Sequence, residues 1–189
     1  MDFREKKKIM DVTAIADALE GISRQIIEKC KSGSGVRELS KLVIVGIRTR
    51  GAFLAERIVE RIEKASGVKV PLGILDITLY RDDLTAVASQ PVVHSTEIPF
   101  DLTGRRVILV DDVLYTARTM RAAIDQLMDF GRPALVEIAV LIDRGHRELP
   151  ICADYVGRIV KTSIDEVVEV QINEVDGKEQ IVIVEKAGK

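Results

Sequence analysis

"VILVDDVLYTARTMRAAID", residues 107–125, runs through four apolar residues, turns acidic at Asp111 and Asp112, and resumes with helical periodicity. A short apolar run that ends in charge reads as a strand covered on both faces. "ARTMRAAIDQLMDFG" reads as the helix after it, with Gly131 as its C-terminal cap. Two like charges at a buried strand end repel and lose solvation, which raises at least one pKa unless something compensates. Either water reaches both carboxylates or a ligand uses them.

The same strand-then-helix rhythm extends outward in both directions. "LVIVGI" (42–47), "VPLGILDITLY" (70–80) and "ALVEIAVLID" (134–143) are further strands, and "GAFLAERIVERIEKAS" is a helix stopped by Gly67. Residues 13–31 set Ile15, Ala18, Leu19, Ile22, Ile26 and Ile27 on one helical stripe. Strands alternating with helices predict an α/β fold with a mainly parallel central sheet flanked by helices. Smaller C-terminal strands follow near "DEVVEVQI" and "EQIVIVE", with "NEVDGKE" as a hairpin turn between them. Residues 81–105 carry charges, Ser, Thr and two prolines without periodicity, so they read as a long loop, with a hairpin around "PVVHSTEI". With no repeat and no linker, residues 1–189 read as a single domain.

Composition narrows the class. Of 189 residues, 47% are hydrophobic and 31% charged, and the formal charge of −2 excludes a global polycation. "MDFREKKKIMDV" lacks the apolar segment of a signal peptide, and the "REKKK" run (4–8) reads as a solvated tail. Cys30 and Cys152 show no metal spacing and read as free thiols of a cytoplasmic protein. His94 and His146 read as surface or hydrogen-bonded residues rather than catalysts, and no His/Cys/Asp cluster suggests a metal cage.

In open α/β sheets ligands sit beyond the carboxyl ends of strands, where Asp111 and Asp112 fall. The helix starting near Ala117 offers unpaired amides and partial positive charge, which suit a phosphate, and Thr116 and Thr119 add hydroxyls. The carboxylates would repel that phosphate, so they must face another part of the same ligand. Adjacent sugar hydroxyls fit, because a carboxylate accepts hydrogen bonds from them. The stretch therefore asks for a ribose phosphate. A receiver domain also uses paired acids, but on its first strand, and this pair lies past mid-chain.

An apolar strand, Asp-Asp, four residues and Thr-x-x-Thr resemble the phosphoribosyl pyrophosphate (PRPP) signature of type I phosphoribosyltransferases. "VGIRTRGAFLAERI" (45–58), "DITLYRDDL" (76–84), "VILVDDVLYTARTMRAAID" and "LIDRGHRELPICADYVG" (141–157) closely resemble the family of pyrimidine-operon regulators that are also uracil phosphoribosyltransferases. The resemblance implies transfer of phosphoribose from PRPP to uracil, giving UMP and pyrophosphate, with Mg²⁺ carried mainly on pyrophosphate. It makes "RTRG" the pyrophosphate loop, with Arg48, Thr49, Arg50 and Gly51 as contacts and a non-proline cis peptide. Asp111, Asp112 and Arg50 become the catalytic set, and Val113, Leu114, Tyr115, Thr116, Ala117, Arg118 and Thr119 the PRPP turn. Residues 81–105 resemble a flexible lid whose Arg81 reaches pyrophosphate or serves as a surface hinge. Arg144 is expected beside the nucleotide, and the base is expected on backbone groups near Val167 and Val168. The resemblance further implies a homodimer or homotetramer and a basic face for pyrimidine-operon leader RNA, to which Arg24, His146 and Arg147 belong.

Two departures stand out. Ala117 occupies a turn position where the family has Gly, and Glu20, Gly21, Arg24 and Cys152 replace the family's RNA-facing Thr, Arg, His and Arg. An acid in place of a hydroxyl and the loss of basic residues weaken attraction for RNA phosphates.

Overall fold

The computed structural model describes residues 3–32, 35, 38–78 and 95–186. Its larger sheet is wholly parallel. β2 (Leu42–Ile47), β3 (Leu72–Leu75), β4 (Arg106–Leu114), β5 (Leu135–Asp143) and β6 (Tyr155–Ile159) lie in the order β3-β2-β4-β5-β6. A smaller antiparallel sheet joins β1 (Phe3–Met10), β8 (Gln180–Lys186) and β7 (Glu166–Gln171), with β8 in the middle.

Both faces of the parallel sheet are covered, so its strands read as continuous apolar runs. All six residues of β2 are buried. Successive side chains of a strand point to opposite faces. Leu42 and Ile44 pack with α1 (Val12–Ser32) and α2 (Arg50–Ser66), whereas Val43, Val45 and Ile47 pack with α3 (Arg118–Leu127). Val168, Val170 and Ile181 of the small sheet, with Ile172 just after β7, join the α1/α2 side of the core.

Close approach of α2 to the sheet depends on two glycines. A Cβ on Gly46 would lie 2.6 Å from the Ala52 Cα, and one on Gly51 would lie 2.5 Å from the Val110 carbonyl. Any side chain at either position would push α2 and its first turn away from β4.

The expected helices and parallel strands are present, with local differences. The lysine-rich 4–8 segment is a strand rather than a solvated tail. Its side chains are exposed, and pairing with β8 rather than burial makes it extended. Lys6 lies 3.1 Å from Glu185 and 3.0 Å from Glu166, a row of charge across the three strands. β3 ends at Leu75, well short of residue 80. Residues 155–159, unread as a strand, form β6. The "NEVDGKE" turn contains a single helical turn, α4 (Asn173–Asp176), closed by left-handed Gly177. α3 ends at Leu127 and a 3-10 turn carries the chain to Gly131. Of the expected 81–105 loop, the described part is packed: Glu97 bridges antiparallel to Ile74, and Leu102 is fully buried. Residues 81–94, with Arg81 and His94, lie outside the described residues. No described helix is long and apolar enough to cross a membrane.

Candidate active site

From β2 the chain moves to one side for β3, then returns on the other side of β2 to build β4. The strand order reverses there, and a crevice opens beyond the carboxyl ends of the two strands flanking such a reversal. Arg48–Gly51 follows β2 and Asp111–Asp112 ends β4, so topology brings together two segments about sixty residues apart in sequence.

The Arg48–Thr49 peptide is cis, as the resemblance implies for this loop. The two arginines beside it diverge. Arg48 Nη2 donates to Glu97 Oε1 at 2.9 Å and to the Ser95 carbonyl at 3.3 Å. Arg50 opens α2 and donates through Nε and Nη2 to Asp176 Oδ2 and Oδ1 at 3.2 and 2.7 Å. The hydrogen bonds to Asp176, and the nearby charge of Asp112, hold the Arg50 guanidinium above its ordinary pKa.

Gly51 admits the first turn of α2 against the end of β4: a Cβ there would stand 3.3 Å from Asp111 Oδ1. Asp111 is buried and accepts the Asp112 amide at 2.9 Å, while Asp112 accepts the Val113 amide at 2.7 Å. Burial pushes the Asp112 carboxyl above its ordinary value, although the Val113 amide, Arg50 and the Asp111 contact all pull it down. Two acids thus share one strand end, with incomplete compensation at Asp112, and α3 begins four residues after Leu114.

β4 persists to Leu114, so the turn proper is Tyr115–Ala117. Ala117 is buried with φ 75° and ψ 7°, a left-handed conformation, and helix α3 starts at Arg118 rather than at Ala117. L-residues with a Cβ disfavour this region by about 1–2 kcal/mol, and glycine does not. Thr116 Oγ1 accepts the Arg118 amide at 3.4 Å, and Thr119 lies in the first helical turn.

A collar from residues 143–151 holds this turn from behind. Arg147 Nη1 donates to the Tyr115 and Gly145 carbonyls at 2.7 and 2.9 Å, Nε donates to the Ile151 carbonyl at 3.2 Å, and Nη2 pairs with Asp143. The Glu148 and Leu149 amides donate to the Thr116 carbonyl at 3.1 and 3.3 Å. Arg118 Nε donates to Glu148 Oε2 at 2.6 Å. Arg144 stacks 4.2 Å over the Tyr115 ring and donates to Thr162 Oγ1 and to the Ser163 and Glu166 carbonyls at 3.1, 3.0 and 2.5 Å. Arg144 thereby joins the turn to the start of β7. Because β7 is the edge of its sheet, one row of its backbone groups faces away from β8. Val168 itself is buried, its neighbour Val167 exposed.

Of the residues expected on an RNA face, Arg24 is exposed on α1 with Glu28 at 3.9 Å. His146 Nε2 lies 2.7 Å from the Thr162 carbonyl with φ 60°, and Arg147 is spent on the collar. Sequence reasoning missed Asp176, Glu97 and Asp143, the acids that hold Arg50, Arg48 and Arg147. Asp176 stands 126 residues from Arg50, and no local pattern connects them. Among the described residues no group of three or more His, Cys, Asp or Glu could hold a metal.

The phosphoribosyl transferase domain family matches residues 6–175. Similar proteins include "Bifunctional protein PyrR" of Pelotomaculum thermopropionicum, 58% identical over 97% of this chain and 98% of that one. The protein of the same name from Thermus aquaticus is 52% identical over 98% of this chain and 99% of its own. Among solved structures, hypoxanthine phosphoribosyltransferase of Trypanosoma cruzi shares the fold, with a TM-score of 0.73, 21% identity and 96% coverage of both chains. By domain match and by identity over nearly its whole length, the chain belongs to the phosphoribosyl transferase family, among the relatives named bifunctional protein PyrR.

Proposed function

We propose that the chain transfers phosphoribose from PRPP to uracil, forming UMP and releasing pyrophosphate. The observation that carries this reading is the pair Asp111–Asp112 facing the Arg48–Gly51 loop across the reversal point of the sheet. In the reaction the bond from the anomeric carbon to pyrophosphate breaks and one from that carbon to a ring nitrogen of uracil forms, with loss of the nitrogen's proton. Positive charge builds on the ribose ring and negative charge on the leaving group. Pre-set charges and dipoles in a site that excludes water stabilise both.

Asp111 and Asp112 accept the ribose hydroxyls and sit beneath the developing positive charge. Arg50 and the amides opening α2 meet pyrophosphate, with Arg48 and Thr49 lining the same loop. Thr116–Thr119 and the amides opening α3 hold the 5′-phosphate. Uracil lies against the outer backbone edge of β7 near Val167 and Val168, under a wall made by Arg144 and Tyr115. With Asp111 and Asp112 on the ribose hydroxyls, Mg²⁺ would be carried mainly on pyrophosphate and those hydroxyls, with water completing its shell. When bound, that ion screens the charge of the departing pyrophosphate.

A panel of uracil, orotate, hypoxanthine and guanine with PRPP tests this reading. UMP from uracil at far higher kcat/KM than any other product is the expected outcome. Preference for a purine, as in the hypoxanthine enzymes that share the fold, would overturn it.

The relatives' name, "bifunctional protein", favours a second activity, and leader RNA is the partner proposed for it. Arg24 with Glu28 beside it, and Arg147 committed to the collar, leave little free positive charge on the expected face. Binding should be weak with a shallow salt slope, because that slope follows the number of phosphates neutralised. Tight, sequence-selective binding at physiological salt would assign the RNA to another surface.

A further inference from the structure

Arg50 and Arg57 stand seven residues apart on α2, two turns along one helical face. Both reach the segment that joins β7 to β8. Arg57 donates to Glu174 Oε1 and Oε2 at 3.0 and 2.8 Å and to Glu179 Oε1 at 2.6 Å. Arg50 grips Asp176 side-on, and Asp176 Oδ2 also accepts the Ile172 amide at 2.9 Å. The carboxylate is therefore fixed to its own turn before it holds the arginine.

We propose that Asp176 is a positioning residue for phosphoribosyl transfer: it fixes the Arg50 side chain so that the remaining guanidinium hydrogens point to pyrophosphate. This rests on the assignment of Arg50 to the pyrophosphate loop. A guanidinium has five N–H donors in a rigid fork. The grip through Nε and one Nη2 hydrogen leaves both Nη1 hydrogens and the second Nη2 hydrogen for a ligand. The long, flexible arginine stem is ordered before substrate arrives, so binding does not have to order it. The pair is also sheltered, with side chains 31% and 21% exposed. Asp176 follows β7 in the chain, so the carboxylate that sets the pyrophosphate end of the site stands five residues beyond the strand expected to face the base. Arg57 anchors the same segment without touching Arg50, which separates anchoring from positioning.

That separation supplies the test: steady-state kinetics and thermal melts of Asp176→Asn, Asp176→Glu, Glu174→Gln and Arg50→Ala in the full chain. Asp176→Asn should raise KM for PRPP about tenfold and weaken inhibition by pyrophosphate by a similar factor, with KM for uracil little changed. Glu174→Gln, which loosens the anchor alone, should lower the melting temperature and leave KM for PRPP in place. Asp176→Glu keeps the charge on a longer arm and should give an intermediate KM. It is the deciding variant if Asp176→Asn does not fold, and wild-type KM there would then sink the idea. Equal shifts in Asp176→Asn and Glu174→Gln would reduce Asp176 to an anchor. If Arg50→Ala raises KM and Asp176→Asn does not, the positioning role fails while the pyrophosphate assignment stands. If Arg50→Ala leaves KM for PRPP unchanged, that assignment fails first.

Discussion

The parallel strands carry buried charge at both of their ends, and the two ends treat it differently. Near the amino ends, fully buried Arg106 donates to Glu137 Oε2 at 2.6 Å, to the Tyr155 hydroxyl at 2.7 Å and to Cys30 Sγ at 2.9 Å. Lys29 completes the group, 3.3 Å from Glu137 Oε1 and 4.4 Å over the Tyr155 ring. Burial pushes Glu137 up, but Arg106 and Lys29 overcome it and hold the carboxyl below its ordinary value. At the carboxyl ends, burial prevails over its compensations and Asp112 is held above its ordinary value. The left-handed Ala117 lies in the turn that follows. Charge that is fully matched inside the fold serves the fold. Charge left undermatched beside a crevice is available to a ligand, at a cost to stability.

Several substitutions can break or sharpen this contrast. The largest effect is expected from Glu137→Gln, which strands a buried guanidinium. One-sided loss of a buried pair costs about 3–5 kcal/mol. Denaturant titration should show that loss, with kcat/KM of the folded fraction unchanged. A loss under 1 kcal/mol would mean that Tyr155 and Cys30 suffice to satisfy Arg106.

Asp112→Asn should move stability and activity in opposite directions. Removing a charge that burial disfavours raises the melting temperature, while losing a charge-assisted bond of about 1.5–3 kcal/mol to ribose lowers kcat/KM tenfold or more. Asp111→Asn should lower kcat/KM comparably. Wild-type kinetics in both would refute the ribose assignment.

Ala117→Gly relieves the left-handed strain and should stabilise the fold by about 0.5–1 kcal/mol, less than the strain itself because glycine gains freedom when unfolded. Affinity for PRPP should stay equal or tighten. A clear loss of affinity would show that the methyl group rigidifies the phosphate turn.

The smallest and most diagnostic difference is in pH dependence. Glu137, held low when folded, gives stability that is complete above the unfolded carboxylate pKa and is lost as pH falls through its folded value. Asp112, held high, has the reverse sign: its penalty is absent below the unfolded value and grows as pH rises toward the raised folded value. The gain from Asp112→Asn should therefore vanish below about pH 4, the unfolded Asp range, and reach a plateau at higher pH. The loss from Glu137→Gln should shrink on acidification. Parallel pH profiles for the two variants would dissolve the contrast between the strand ends.

Much of this was legible in the chain because burial on both faces and helical amphipathicity are local patterns. The runs 42–47, 106–112 and 134–143, and the Asp-Asp they led to, needed only period and charge to be read. Strand β1 was not legible: its exposed lysines follow no burial pattern, and only the backbone of β8 makes it a strand. Arg147 illustrates the same limit for a site residue. A basic residue in a loop looks free in sequence, yet here its donors go to the backbone carbonyls of Tyr115 and Gly145.

The sequence by itself determined the alternating architecture, the acidic strand end and the arginine loop, since each is written in contiguous residues. Only the tertiary structure decided that the loop and the acids meet at one reversal of strand order, that Ala117 takes a glycine's conformation, and which acid holds each arginine. Those partners stand from four to more than a hundred residues apart. Side-chain pairing at such separations is set by how helices and sheets pack, a property of the whole fold that no local pattern encodes.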